Sequence, residues 1–235
     1  MSAAYLWYFG QAGENYAAIG AKGSKVMVTE YKRNLDYLDD YTLKLKYEGY
    51  RLNLEKMIAF REDLICLTSY FNESKQLRYY FIQKYLGHGR LSTPVPLCAS
   101  EWDVATETAI DYNKNRERLL RERSIKMMVS DDEKSFVVLI PKVNSNPKEQ
   151  PNEWDAHVFN KELEMSFRTF TVPEIGVSIS EFALSNSGKL MAIGVDNVRR
   201  INDVFFLLQV DLICSNRNFS VIDILESYLT FIQEN

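Results

Sequence analysis

Two histidines, three cysteines and a few carboxylate pairs are the residues of this 235-residue sequence best equipped for chemistry. His88 stands in Gly87-His88-Gly89, a loop signature, and His157 stands in an apolar alternation beside Val158. A zinc site needs three or four converging nitrogen, sulfur or oxygen ligands, which two isolated imidazoles do not supply. Cys66, Cys98 and Cys214 lie far apart with no C-x-x-C pair, so neither a disulfide framework nor a zinc site is expected. They read as small apolar side chains.

Asp39-Asp40 and Asp131-Asp132-Glu133 offer oxygen ligands but lack the alternating spacing of a calcium loop. Turn formation explains them better. Residues 20–25, GAKGSK, have the glycines and lysine of a phosphate-binding loop without its spacing, and read as a turn. No G-x-S-x-G, H-E-x-x-H or G-x-G-x-x-G occurs. Trp7, Trp102 and Trp154 would suit a carbohydrate or peptide site, but large aromatics more often fill sheet interfaces. No catalytic, cofactor-binding or metal residue is assigned, and no cofactor is expected.

The elements around these residues are β-strands. Aromatics make up 13% of the chain, and they fit pleated, half-buried surfaces. A hydrophobic fraction of 46% excludes a disordered chain or a collagen-like fibre. No apolar run approaches the length of a membrane-spanning helix. A pI near 5.4 speaks against non-specific nucleic-acid binding.

The strands repeat. IKMMVSDDEKSFVVLI (125–140) and ISEFALSNSGKLMAIG (179–194) each set a polar turn between two apolar-alternating arms, with Phe136 and Leu190 in equivalent places. EKMIAFREDLICLTSY (55–70) repeats the hairpin around Arg61-Glu62-Asp63, and AGENYAAIG (12–20) holds its turn and second arm. A second hairpin follows. VMVTEYKRNLDYL (26–38) and DAHVFNKELEMSF (155–167) place an aromatic, Tyr31 or Phe159, before a polar turn and then a Leu, Leu35 or Leu163. Four strands in about 50 residues describe a β-propeller blade, a unit that buries its faces against neighbouring blades.

The expected fold is therefore all-β, a propeller-type array of about four blades with the first and last incomplete; a β-sandwich is the alternative. The blades are expected at about 5–50, 51–98, 124–175 and 176–212. A basic insertion at 99–123 carries Lys114, Arg116, Arg118, Arg121 and Arg123 among acids Glu117 and Glu122, and reads as a solvated, partly helical face. Residues 144–153 are a polar connector. In the tail 213–235, Val221, Ile222, Leu225, Leu229 and Ile232 fall near helical spacing, with Ser220 as a candidate N-cap.

The run SIKMMVSDDEKSFVVLI, WDAHVFNKELEMSFRTFTVPE, SISEFALSNSGKLMAIGVD resembles an uncharacterised family of β-propeller repeat proteins from Bacteroidetes. Members show an S-x-D-x-x hairpin, then hVFDxxLxxxW, then DNxGxxYLLG. KVMVTEYKRNLDYL and ICLTSYFNESKQLRYYFIQKYL are similar to the preceding blades, so the resemblance spans roughly residues 10–211. It implies a propeller reached through a secretory or lipoprotein signal and followed by further blades, with no known activity and no catalytic residues. The implied compartment is periplasmic, outer-membrane-associated or extracellular, although the chain shows no signal peptide.

The function expected is a non-catalytic binding or scaffold module contacting protein or glycan through blade loops. The alternatives are an enzyme with a site at the propeller axis and a truncated fragment of a larger exported propeller protein. A sequence opening on a hydrophobic strand (5–9) would leave apolar blade faces exposed, so self-association is expected.

Overall fold

The computed structural model describes residues 5–22, 25–101, 125–142, 153–171, 177–196, 205–211 and 219–223. The chain divides into two compact units, Met1–Trp102 and Asp103–Asn235.

The first unit holds sheet 1, formed by β1 (Tyr5–Ala12), β2 (Asn15–Lys22), β3 (Lys25–Tyr31) and β4 (Tyr37–Thr42) in sequential order. A two-stranded hairpin follows, β5 (Lys46–Tyr47) and β6 (Tyr50–Arg51). Sheet 2 then takes β7 (Asn53–Phe60), β8 (Asp63–Asn72), β9 (Leu77–Lys84) and β10 (Val95–Glu101), also pairing in sequence.

The second unit holds sheet 3, of β11 (Lys126–Val129), β12 (Ser135–Pro141), β13 (Glu153–Asn160) and β14 (Met165–Thr171). Sheet 4 is β15 (Val177–Leu184), β16 (Lys189–Asp196), β17 (Phe205–Asp211) and β18 (Phe219–Asp223). All pairings are antiparallel, and no helix occurs among the described residues. The fold is all-β, a propeller-type array of four-stranded antiparallel blades.

The repeat extends to the backbone. Leu35 and Leu163, matched by sequence, both lie in left-handed conformation, with φ of 66° and 61°. Each closes the same turn: the Leu35 N–H donates to the Lys32 carbonyl at 2.8 Å and the Leu163 N–H to the Asn160 carbonyl at 3.1 Å. The first strands of sheets 1, 2 and 4 each carry a register shift, at Leu6/Tyr8, Leu54/Lys56 and Ile179/Glu181, where an extra residue bends the strand.

Each unit buries its core between facing sheets. In the first, Ala17, Ile19 and Val28 of sheet 1 meet Leu64, Cys66 and Tyr85 of the sheet 2 side, with Leu43 closing one end. In the second, Val137, Leu139, Trp154, Ala156 and Val158 of sheet 3 meet Leu184, Leu190 and Ala192 of sheet 4. Trp154 packs edge-on against Phe182, ring centroids 5.2 Å apart, which is the inter-sheet role expected of it. The Trp7 side chain and Trp102 lie outside the described residues.

Three expectations need correction. The first and last blades are not incomplete: both have four strands. The 213–235 tail does not start a helix at Ser220, which sits in β18 and pairs with Gln209. The outer edge of β17 presents unpaired peptide groups, and β-branched Val221 and Ile222 suit a strand that satisfies them. Residues 99–101 continue β10 rather than opening the basic insertion. The charged stretch 114–123, the rest of the 144–153 connector apart from Glu153, and Leu225, Leu229 and Ile232 fall outside the described residues.

Candidate functional site

The best-organised polar cluster lies at one end of the first unit, where the loop after β9 crosses to sheet 1. Glu30 occupies a position on β3 that alternation assigns to the core, in step with Val26 and Val28, and is 3% exposed. A buried carboxylate must be hydrogen-bonded. Its Oε1 accepts the Tyr85 hydroxyl at 2.6 Å and the His88 backbone N–H at 2.8 Å. The Gly89 N–H donates to the Tyr85 hydroxyl oxygen at 3.1 Å. Burial, then the bond to Glu30, holds the Tyr85 phenol protonated well above its ordinary range.

The His88 ring is the exposed member. Its Nδ1 lies 2.8 Å from the Tyr41 hydroxyl and 3.6 Å from Glu30 Oε2, and its side chain is 62% exposed. Burial and then the Asp39 carboxylate raise the Tyr41 phenol. A carboxylate behind an exposed imidazole is the geometry that orients a general base. Among the described residues, however, the side chains that contact His88 are Tyr41 and Glu30, and neither is an activated nucleophile.

A second cluster lies on the opposite face of sheet 2. The Ser69 hydroxyl bonds Glu55, and the Arg78 guanidinium reaches Glu55 at 3.1 Å and Ser69 at 3.0 Å. Ser69 is fully buried, so its hydroxyl meets no substrate.

His157 sits on β13, is 1% exposed, and presses on Phe167 with ring centroids 4.9 Å apart. Neither ring nitrogen has a hydrogen-bond partner among the described residues. Burial, against the pull of Asp155, drives its pKa down to about 4. The two histidines lie in different units.

Of the acidic runs, Asp131-Asp132-Glu133 lies in the turn expected of it, whereas Asp39-Asp40 lies within strand β4, paired with Glu30 and Thr29. Asp40 accepts the Thr29 hydroxyl at 2.6 Å, and the Asp39 carboxylate accepts the Asp40 N–H at 2.8 Å. Asp132 accepts the Ser130 hydroxyl at 2.8 Å and pairs with Lys134 Nζ at 3.0 Å, bonds that hold its carboxyl below the usual range. Its N–H also donates to Asn186 Oδ1 at 3.0 Å, joining the equivalent turns of sheets 3 and 4. No group of three or more His, Cys, Asp or Glu suited to a metal occurs among the described residues. Of GAKGSK, Gly20, Ala21 and Lys22 end β2 and Lys25 opens β3, with Lys22 paired to Lys25. Cys66 is buried, its thiol pushed up to about 12, while Cys98 lies half-buried on β10. Cys214 is outside the described residues.

The open feature is aromatic. Phe9, Tyr16, Tyr31 and Tyr37, one from each strand of sheet 1, form a connected cluster in which Phe9 stands 6.0 Å from Tyr16 and 6.2 Å from Tyr31, and Tyr31 stands 6.4 Å from Tyr37, centroid to centroid. The cluster occupies the face turned away from sheet 2, since Ala17, Ile19 and Val28 point the other way. Phe9 is 53% and Tyr37 58% exposed, with Leu35 and Leu38 exposed beside them. Sequence reasoning singled out none of these rings as a site. The signal was Tyr16 and Tyr31 in register on the out-of-core parity of paired strands.

No family model and no curated protein matches the chain. Among solved structures it is similar to a prolyl endopeptidase, with a TM-score of 0.52 and 15% identity over 94% of this chain. The chain spans only 28% of that peptidase. It is also similar to a putative 6-phosphogluconolactonase from Bacteroides uniformis, at a TM-score of 0.39 and 11% identity, covering 92% of this chain and 55% of that one. A GH43 β-1,3-galactosidase aligns at a TM-score of 0.38 and 9% identity, over 91% of this chain and 74% of that one. At 15% identity the likeness to the peptidase is one of fold alone.

Proposed function

We propose that the chain is a non-catalytic binding or scaffold module of propeller blades, and that it docks a protein partner on the open face of its first sheet. One observation carries this reading: the rings of Phe9, Tyr16, Tyr31 and Tyr37 join all four strands, with Phe9 and Tyr37 more than half exposed. Soluble proteins seldom leave a contiguous aromatic surface uncovered without a use for it. Tyrosine joins a large apolar ring to a hydroxyl that can bond across a contact, which is why interfaces favour it. Each unit covers the inward face of one sheet with the face of the next, so a partner surface of that kind, including a second copy of this chain, fits the open face. Kinship with the Bacteroidetes propeller repeats that the hairpins resemble belongs to the same proposal.

The test is size-exclusion chromatography with light scattering across a range of concentrations, on the parent chain and on Phe9→Ser/Tyr37→Ser. Concentration-dependent association that the double substitution removes is the expected outcome. A monomeric parent chain that instead binds an immobilised glycan through Tyr37 would replace the protein partner by a carbohydrate. A monomer that binds neither overturns the proposal.

A further inference from the structure

We propose that Glu30 and His88 form a pH-sensitive clamp that fastens the 86–90 loop to sheet 1 and tightens on acidification. The loop needs fastening. Gly87, His88 and Gly89 are successively left-handed, with φ of 81°, 53° and 69°. Glycine takes this conformation freely, so His88 is the member that surrounding bonds must hold. The loop's own bonds are Leu86 N–H to the Arg90 carbonyl at 2.9 Å and Arg90 N–H to the Gly87 carbonyl at 3.0 Å. The other bonds go to the sheet 1 side or to Tyr85, just before the loop. Lys44 N–H donates to the Gly89 carbonyl at 3.0 Å, and the two central loop N–H groups go to Glu30 and to the Tyr85 hydroxyl that Glu30 holds. Glu30 is the hub, and among the described residues no lysine or arginine pairs with it.

The remaining partner is titratable. Neutral His88 offers one ring nitrogen to the Tyr41 hydroxyl. Protonated, the ring becomes a counter-ion 3.6 Å from Glu30 Oε2. Imidazoles change charge in the range between pH 5 and 8. The groups facing His88 are Glu30 from β3, Tyr41 and through it Asp39 from β4, and Tyr85 from the end of β9. Of the two carboxylates, Glu30 stands within ion-pair reach of the ring, 3.6 Å away. The neighbouring cations, Lys44 and Arg90, are exposed, where solvent and salt screen them. Acid therefore adds an ion pair to a clamp already built of hydrogen bonds.

The measurement is the hydrogen-exchange protection factor of the Gly89 amide at pH 5.5 and pH 7.5, which corrects for the intrinsic pH dependence of exchange. The parent chain is expected to show a rise of about fivefold at the lower pH, the size of a partly exposed ion pair. His88→Gln keeps a hydrogen-bonding side chain but takes no charge, and its ratio should be near one. Glu30→Gln should flatten the ratio and lower protection at both pH values. If Glu30→Gln does not fold, His88→Gln alone decides. A rise in His88→Gln equal to the parent's, or no rise in the parent, overturns the proposal.

Discussion

His157→Leu tests the cost of the buried imidazole in the second unit. The ring is 1% exposed, both nitrogens lack partners among the described residues, and its pKa falls to about 4. An unfolded histidine titrates near 6.5. The unfolded chain thus binds a proton that the folded chain refuses between those values, and stability drops as pH falls through that window. The loss is absent above about pH 7, about 2 kcal/mol at pH 5, and about 3 kcal/mol once pH is below both values. Leucine carries no proton, so the variant should not show this loss. It also removes buried nitrogens whose desolvation costs about 1–3 kcal/mol each, so it should be the more stable protein even at pH 7.5. Leucine roughly matches the imidazole in volume and would lie against Phe167. Urea unfolding at pH 7.5 and pH 5, followed by tryptophan emission, gives both differences; Trp154, on the same strand, reports on the unit. If parent and variant lose the same stability between the two pH values, His157 is not the buried neutral group described.

Three further outcomes are expected. Gly89→Ala should destabilise the first unit by roughly 2–4 kcal/mol, because a Cβ there would stand 2.6 Å from the Thr42 carbonyl oxygen at a φ of +69°; thermal melts measure it, and an unchanged midpoint would remove the close approach. Leu35→Gly relieves a left-handed, exposed leucine and should raise stability by about 1 kcal/mol in urea titration, whereas a loss would mean the side chain packs on something. Cys66, with its thiol pushed up to about 12, should resist iodoacetamide at pH 8 until urea unfolds the chain, read peptide by peptide in the mass spectrometer.

Much of the architecture was legible in the sequence because strands and turns are local. The Leu35 and Leu163 turns, and those around Gly13, Arg61, Glu133 and Gly188, could be placed from polar turn residues between alternating arms, and each contains a positive φ. Trp154 could be assigned to an inter-sheet contact on size alone. The reading went wrong where two periodicities compete. Val221, Ile222 and Leu225 satisfy a helical stripe, yet β17 lay beside the segment with an unpaired edge, and Phe219–Asp223 became the strand that fills it.

The clamp was hidden for a different reason. A glutamate at a core parity on β3 and a Gly-His-Gly loop are visible as separate oddities, but 58 residues divide Glu30 from His88. Only the packing of sheet 2 on sheet 1 brings them within hydrogen-bond reach. The same holds for the rings. Their spacing follows from strand register, while their exposure depends on which face of sheet 1 the next sheet covers. Sequence thus determined the local elements and their repeat, since backbone geometry and alternation act over a few residues. Tertiary structure decided which polar groups meet and which face stays open, since both depend on contacts between sheets far apart along the chain.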